Sequence, residues 1–275
     1  KEKQMKFGLF ILIYSFMKLH RMLLAATVWM SVVLILCKIT GIKNWRFHLV
    51  LYALVPVSCL MGNSKIFFYG KMFLLTNWLQ GKVNEQLAVM YFLIAGMLAV
   101  RYLYVQKRIR QRLFRMQRLK ETEKDAALQG RGPKIRVYMS KECASPFAGG
   151  ILRPFIVLPE TVQNSLTKKQ LSAVLYHEAL HIRQRHILLL HIYAWLKIVW
   201  WVHPLIYIVQ RKLRESIEYG SDEGSVMRGP LSPYEYASVL LTMLQMGNQE
   251  VLVSDSVTAF TGYHYDVLKK RVERL

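Results

Sequence analysis

The 275-residue chain is long enough to bury a sizeable core, but 53% of its residues are hydrophobic and gathered into blocks, too apolar a pattern for an ordinary soluble protein. Its three cysteines, Cys37, Cys59 and Cys143, are far apart, which gives neither a disulfide framework nor a cysteine-based zinc site. The formal charge of +21 collects where apolar runs stop, above all at Arg101, Lys107, Arg108, Arg110, Arg112, Arg115, Arg118 and Lys120. No nucleic-acid-binding motif accompanies these residues, and basic flanks of this kind are expected beside anionic lipid, so the partner indicated is the lipid bilayer with no direct nucleic-acid contact.

Phe7–Met17 is a short apolar run, read as an interfacial segment or as part of a longer helix. Met22–Cys37, bounded by Arg21 and Lys38, is the first expected span, a little short for the roughly 20 residues a bilayer requires. Phe47–Met61, interrupted by Pro56, is the second, and Leu87–Val105 is the third and clearest. The loop from Gly62 to Glu85 is then external. With the cluster after Arg101 on the cytoplasmic side, three spans place the N-terminus outside, although Lys1, Lys3 and Lys6 favour the reverse. Residues 1–105 are therefore expected to form a transmembrane region and 106–275 a second domain.

Gln106–Leu128 reads as a polar, basic helix, broken by Gln129-Gly-Arg-Gly-Pro133. Lys134–Met139 alternates like a strand. Phe155–Leu158, between Pro154 and Pro159, is a second strand, whose prolines suit a sheet edge. Thr167-Lys-Lys-Gln170 fits a capping box, and Leu171, Val174 and Leu175 carry helical periodicity onward. Ile187–Val209 is almost continuously apolar. It is either a core helix pair turning near His203-Pro204 or a segment dipping into the bilayer, and Lys197 argues against a simple span.

The helix begun at Thr167 runs into His177-Glu178-Ala179-Leu180-His181. Residues four apart share a helical face, so both imidazoles can point at one ion, with Glu178 placed to take a proton from a water there. The competing reading is a core helix whose two histidines find buried partners. For a third ligand, Gln184 and Ile187 stand where a metzincin extension needs Gly and His. His186, His191 and His203 are candidates, the first two close along the same expected helix. Glu218 and Asp222 form a stronger pair, again four apart: one carboxylate can bind a metal while the other accepts the remaining N–H of a ligating histidine. Glu215 and Glu223 are substitutes for Glu218, and a solvated acidic helix face is the alternative.

With these residues, the chain resembles the integral-membrane metallopeptidases of the BlaR/MecR antirepressor type. The likeness rests on Ser145-Pro-Phe, Leu152-Arg-Pro-Phe-Ile-Val-Leu-Pro159, His177-Glu-Ala-Leu-His181, Trp201-Val-His-Pro-Leu205, Glu218-x-x-x-Asp222, Phe260-Thr-Gly and the basic stretch Leu268–Arg274. It implies a mainly α membrane protein with N-terminal transmembrane helices, followed by an α+β zincin-like (gluzincin) cytoplasmic protease domain with a small β-sheet. It implies that His177, His181 and Glu218 hold Zn2+, that Glu178 is the catalytic base and that Asp222 orients a ligand. Phe155, Ile156, Val157 and Leu158 then form an edge strand that pairs with an extended substrate. The implied substrate is a protein such as a transcriptional repressor, with self-cleavage near Thr258–Gly262. Relatives continue into a fourth span and a penicillin-binding domain; with the sequence ending at Leu275, the chain is either a fragment or a shorter relative, and β-lactam sensing is not expected. A homodimer is compatible with the sequence. Two other readings stand beside this one: a quality-control protease of the HtpX/Ste24 type, and a catalytically inactive membrane scaffold, against which the intact Glu178 speaks.

Overall fold

A computed structural model of the chain describes residues 2–41, 45–61, 85–113, 117–118, 135–141, 143, 145–249 and 271. Two compact units are distinguished, Lys1–Tyr104 with His191–Leu213, and Val105–Leu190 with Arg214–Leu275.

In the first unit, α1 (Glu2–Thr40) is one unbroken helix of 39 residues. Lys18, His20 and Arg21 do not interrupt it, so Phe7–Met17 is part of a longer helix and not a separate segment. Gly41 (φ 69) ends it in the left-handed conformation that favours glycine after a helix. α2 (Trp45–Met61) contains Pro56, which has no N–H for the carbonyl of Tyr52 one turn earlier. That carbonyl instead accepts from the buried Tyr193 hydroxyl at 2.7 Å, so the proline leaves no orphan. α3 (Glu85–Leu113) is, among the described residues, the one helix long and apolar enough to cross a membrane, over Gln86–Leu113. Leu93, Met97 and Val100 are each about two-thirds exposed on it.

The expected basic helix over Gln106–Leu128 is corrected. α3 absorbs its first third and stops at Leu113, and Gln117–Arg118 form a short strand, β1. The register explains the switch, because these residues pair antiparallel with Met139 and Tyr138. The expected break at 129–133, the loop at 62–84 and the stretch 258–262 lie outside the described residues, as does the 268–274 stretch apart from Arg271.

In the second unit the remaining strands are β2 (Arg136–Ser140), β3 (Phe147–Gly149) and β4 (Phe155–Pro159), in the order β1-β2-β4-β3. β4 runs parallel to β2, with Ile156 opposite Val137, and antiparallel to β3, with Ile156 opposite Ala148. Phe155–Leu158 is therefore an interior strand, which overturns its expected edge position and removes it as a surface for pairing with a substrate. The prolines misled because they sit at the strand's limits, where a missing N–H costs no central ladder bond. The sheet edge falls instead on β3. The turn after it requires glycine: a Cβ on Gly149 would lie 2.4 Å from the Phe155 ring, and Gly150 has φ 80 with a Cβ position 2.3 Å from the Arg153 carbonyl oxygen.

The helices of this unit begin with α4 (Glu160–Ser165) and α5 (Lys168–Arg183). The capping box at Thr167 is present, with Gln170 N–H donating to the Thr167 hydroxyl and Thr167 N–H donating to the Gln170 side chain. α5 ends where Arg185 adopts φ 56, a left-handed conformation that costs a residue with a side chain roughly 1–2 kcal/mol. α6 (His186–Val199) follows, then a turn at 200–203, then α7 (Pro204–Arg228), giving the helix pair turning at His203-Pro204, of which residues 191–213 belong to the first unit. α8 (Pro233–Gln249) starts with a second capping box, Ser232 N–H donating to Glu235 and Glu235 N–H to the Ser232 hydroxyl. Ile135, Val137, Ile156, Leu158, Leu175, Ala179, Val239 and Leu240 form the apolar core between sheet and helices.

Candidate metal centre

α5 turns its polar face inward. His177 and Glu178 are only 4% and 5% exposed, while Ala173, Leu175 and Ala179 bury its apolar face in the core. His177 Nε2 and His181 Nε2 approach to 3.1 Å. From α7, the half-buried Glu218 carboxylate comes within 3.6 Å of His177 Nε2 and 3.8 Å of His181 Nε2. These separations resemble the edges of a tetrahedron around an ion with ligand bonds of about 2.0–2.1 Å. Among the described residues, His177, His181 and Glu218 form the cluster able to hold a metal ion. His191, His203, Glu215 and Glu223 do not join it. Nor does His186, whose Nδ1 is instead 3.2 Å from His181 Nδ1.

Behind the cluster is a second layer of polar groups. His177 Nδ1 lies 2.9 Å from the Tyr236 hydroxyl and 3.3 Å from Asp222 Oδ1. Tyr236 also donates to Asp222 Oδ1 at 2.9 Å. Arg271, 2% exposed, grips the same carboxylate twice, Nε to Oδ2 and Nη2 to Oδ1, both at 2.6 Å, and its Nη1 is 3.0 Å from Glu218. Both histidines thus have polar partners on the side away from the cluster. With His177 Nδ1 directed at acceptors, its Nε2 faces His181 Nε2 and the Glu218 carboxylate, an arrangement that suits a cation between them.

The chain matches the family described as BlaR1 peptidase M56 over residues 70–275. It belongs to that family. It is similar to the regulatory protein BlaR1 of Bacillus licheniformis, 28% identical over 89 residues, or 32% of this chain and 15% of that protein. It is also similar to the methicillin resistance mecR1 proteins of Staphylococcus aureus and Staphylococcus epidermidis, 24% identical over 84 residues, or 30% of this chain and 14% of each relative. The aligned stretches thus span about one-seventh of those relatives' lengths. The family is one of membrane-associated metallopeptidases. Two imidazole nitrogens and one carboxylate are the donor set of a catalytic zinc site, so the residues present fit the ion the family implies.

The electrostatics of the cluster follow from the same contacts. Burial works against charge on His177, yet its hydrogen bond to Glu218 and the charge of Asp222 outweigh it and raise its pKa. Burial drives His181 down to about 3, against the pull of Glu218. Burial would also raise Glu218, but Arg271 and the histidines reverse that and hold it well below the carboxylate range. At Glu178 burial wins: together with the Glu218 charge it lifts the carboxyl to about 7, against the His177 and Arg271 charges and a backbone hydrogen bond from Ala148.

Tyr236 and Arg271 were missed by sequence reasoning. Tyr236 has a local signal, since Ser232-Pro-Tyr-Glu235 is a capping signature that fixes where α8 starts and so sets Tyr236 in its first turn. Arg271 lies 49 residues from Asp222, and one basic residue in a basic stretch announces nothing.

Proposed function

We propose that the protein is an integral-membrane zinc endopeptidase of zincin-like (gluzincin) architecture that cleaves a cytosolic protein regulator. The observation that carries this reading is the convergence of His177 Nε2, His181 Nε2 and Glu218 beside a buried Glu178. His177, His181 and Glu218 hold the ion, and Asp222 orients His177 through its Nδ1. Bound there, zinc supplies Lewis-acid polarisation of the peptide carbonyl and lowers the pKa of a coordinated water.

Glu178 takes the proton from the attacking water and later delivers it to the leaving amine; a carboxyl group with a pKa near 7 suits both directions at neutral pH. The backbone of Ala148 hydrogen-bonds to the Glu178 carboxylate, which brings β3 beside the proposed base. An extended substrate therefore pairs along Phe147–Gly149, which lays its scissile carbonyl beside Glu178. In this reading residues 1–105, joined by His191–Leu213, form a multi-pass region of a bacterial cell membrane, and the peptidase portion within 106–275 is cytoplasmic. The exposed apolar side chains of α3 and the basic residues that follow support that placement. Among regulators, a DNA-binding repressor is the substrate class favoured, on the strength of the likeness to the BlaR/MecR antirepressor type.

Replacing Glu178 with Gln tests the mechanism. Zinc content should stay at one ion per chain while cleavage of a co-expressed repressor and of the chain itself is lost. Undiminished cleavage by Glu178→Gln removes Glu178 as the base, and zinc retention by Glu218→Ala removes Glu218 as a ligand.

A further inference from the structure

His181 has an outer partner of its own, and the break after α5 builds it. In an unbroken helix, with about 100° of turn per residue, positions 181 and 186 would point some 140° apart and could not meet. The chain avoids this at Arg185, the described non-glycine residue with positive φ, which turns the chain so that His186 opens α6 and folds back. Gln184 N–H still bonds to the Leu180 carbonyl at 2.9 Å and Arg185 N–H to that of Ile182 at 3.1 Å, so α5 is closed off properly before the reversal. The result is an edge-on pair of rings, centroids 5.3 Å apart, with Nδ1 facing Nδ1 at 3.2 Å. His186 is 1% exposed, and its Nε2 has no hydrogen-bond partner.

We infer that His186 fixes the tautomer and ring orientation of His181, accepting its Nδ1–H and thereby presenting its Nε2 lone pair to the metal. This rests on the zinc-site reading above and extends it. Two nitrogens at 3.2 Å need one proton between them. With His181 Nε2 in the ligand cluster, that proton belongs to His181 Nδ1, and His186 carries its own on Nε2. The buried, unpartnered Nε2 is the consequence: His186 accepts an unsatisfied N–H in order to keep its Nδ1 as an acceptor. His186 is thus a positioning residue and not the third ligand. It does for His181, as a neutral imidazole, what Asp222 does for His177 as a carboxylate.

The test is zinc affinity of the full chain in detergent, by competition with a chromophoric chelator. His186→Phe keeps the ring volume and removes the acceptor, and should weaken zinc about 10–100-fold. His186→Asn places its Oδ1 near the position of Nδ1 and should restore most of that loss. Equal affinity for His186→Phe and the unmodified chain, or no recovery with Asn, overturns the assignment. If His186→Phe does not fold, 15N-histidine NMR of the zinc-loaded unmodified chain decides. The proton of His186 is expected on Nε2, and a proton on Nδ1 or a metal-bound nitrogen signature overturns the proposal. Glu218→Ala separates the two levels. If it lowers zinc content while His186→Phe is silent, only the role of His186 fails; if Glu218→Ala is silent too, the metal-centre reading fails with it.

Discussion

α3 and α5 break the ordinary rule of inside and outside in opposite directions. α3 exposes Leu93, Met97 and Val100 while its basic residues gather toward one end. α5 buries His177 and Glu178 and leaves Lys168 and Lys169 exposed. Each inversion is costly in water, and each becomes favourable with one added component: a hydrocarbon phase for α3, a cation for α5. The two helices teach that a residue in the wrong place is best read through what it lacks. The neighbours sharpen the contrast. Among the described residues, α3 presents an exposed apolar face at Leu93, Met97 and Val100, whereas the α5 site is tied by Tyr236, Asp222, Arg271 and His186 into one polar network.

The largest effects should come from the α5 side. Glu178→Gln removes the proton carrier without disturbing the ligands, and kcat/KM should fall by about 10²–10⁴-fold with zinc content unchanged. Arg271→Gln is next. It leaves the buried Asp222 without its guanidinium, a loss of about 3–5 kcal/mol in the metal-free protein, and removes the same charge from beside the half-buried Glu218. Zinc bound at Glu218 compensates part of that charge. The melting temperature of Arg271→Gln should therefore recover more on adding zinc than that of the unmodified chain; equal recovery would separate Arg271 from the metal centre.

The middle of the scale is a pH effect with a definite sign. Burial raises Glu178 from 4.5 to about 7, so in the metal-free protein the folded state holds a proton that the unfolded state has released across that window. Stability is lost as pH rises from about 4.5 to 7. Gln, neutral throughout, suffers no such loss. Metal-free Glu178→Gln should match the unmodified chain near pH 4 and exceed it above pH 7, by on the order of 3 kcal/mol for the shift shown. A constant difference across pH would mean that Glu178 ionises as freely in the folded chain as in water. On the α3 side, Leu93→Arg should cost about 2.5–3.5 kcal/mol of membrane insertion, seen as a larger fraction extracted by alkaline carbonate. The same change on a helix facing water would be silent, so the result bears directly on the membrane half of the comparison.

What could be read in the sequence follows the range of the interaction. His177 with His181, and Glu218 with Asp222, were legible because a four-residue spacing guarantees a shared face wherever the helix lies. The capping box at Thr167 was legible for the same local reason. β1 was not: Gln117–Arg118 read as helix, and only their pairing with β2 makes them strand. The interior position of β4 was hidden because prolines at strand limits and at strand edges look alike in sequence. His186 was judged on an assumed continuous helix, and a positive φ at an arginine is a conformation that sequence gives no reason to expect.

The smallest expected effect tests how far local structure supports the polar network. Ser232 caps α8, and Pro233 fits the first helical position, where a missing N–H costs nothing. Ser232→Ala removes one half of the capping box and should cost about 1 kcal/mol of stability. Tyr236 stands one turn inside that start, with its hydroxyl shared between His177 and Asp222. If the cap only holds the helix end, zinc affinity will not move when Ser232 is replaced. If fraying reaches Tyr236, the orientation of His177 loosens, and zinc affinity should fall in Ser232→Ala but no further in the double variant with Tyr236→Phe. That non-additivity, read from the zinc titrations of the two single variants and the double, is the outcome expected here, because both changes act through the same hydroxyl.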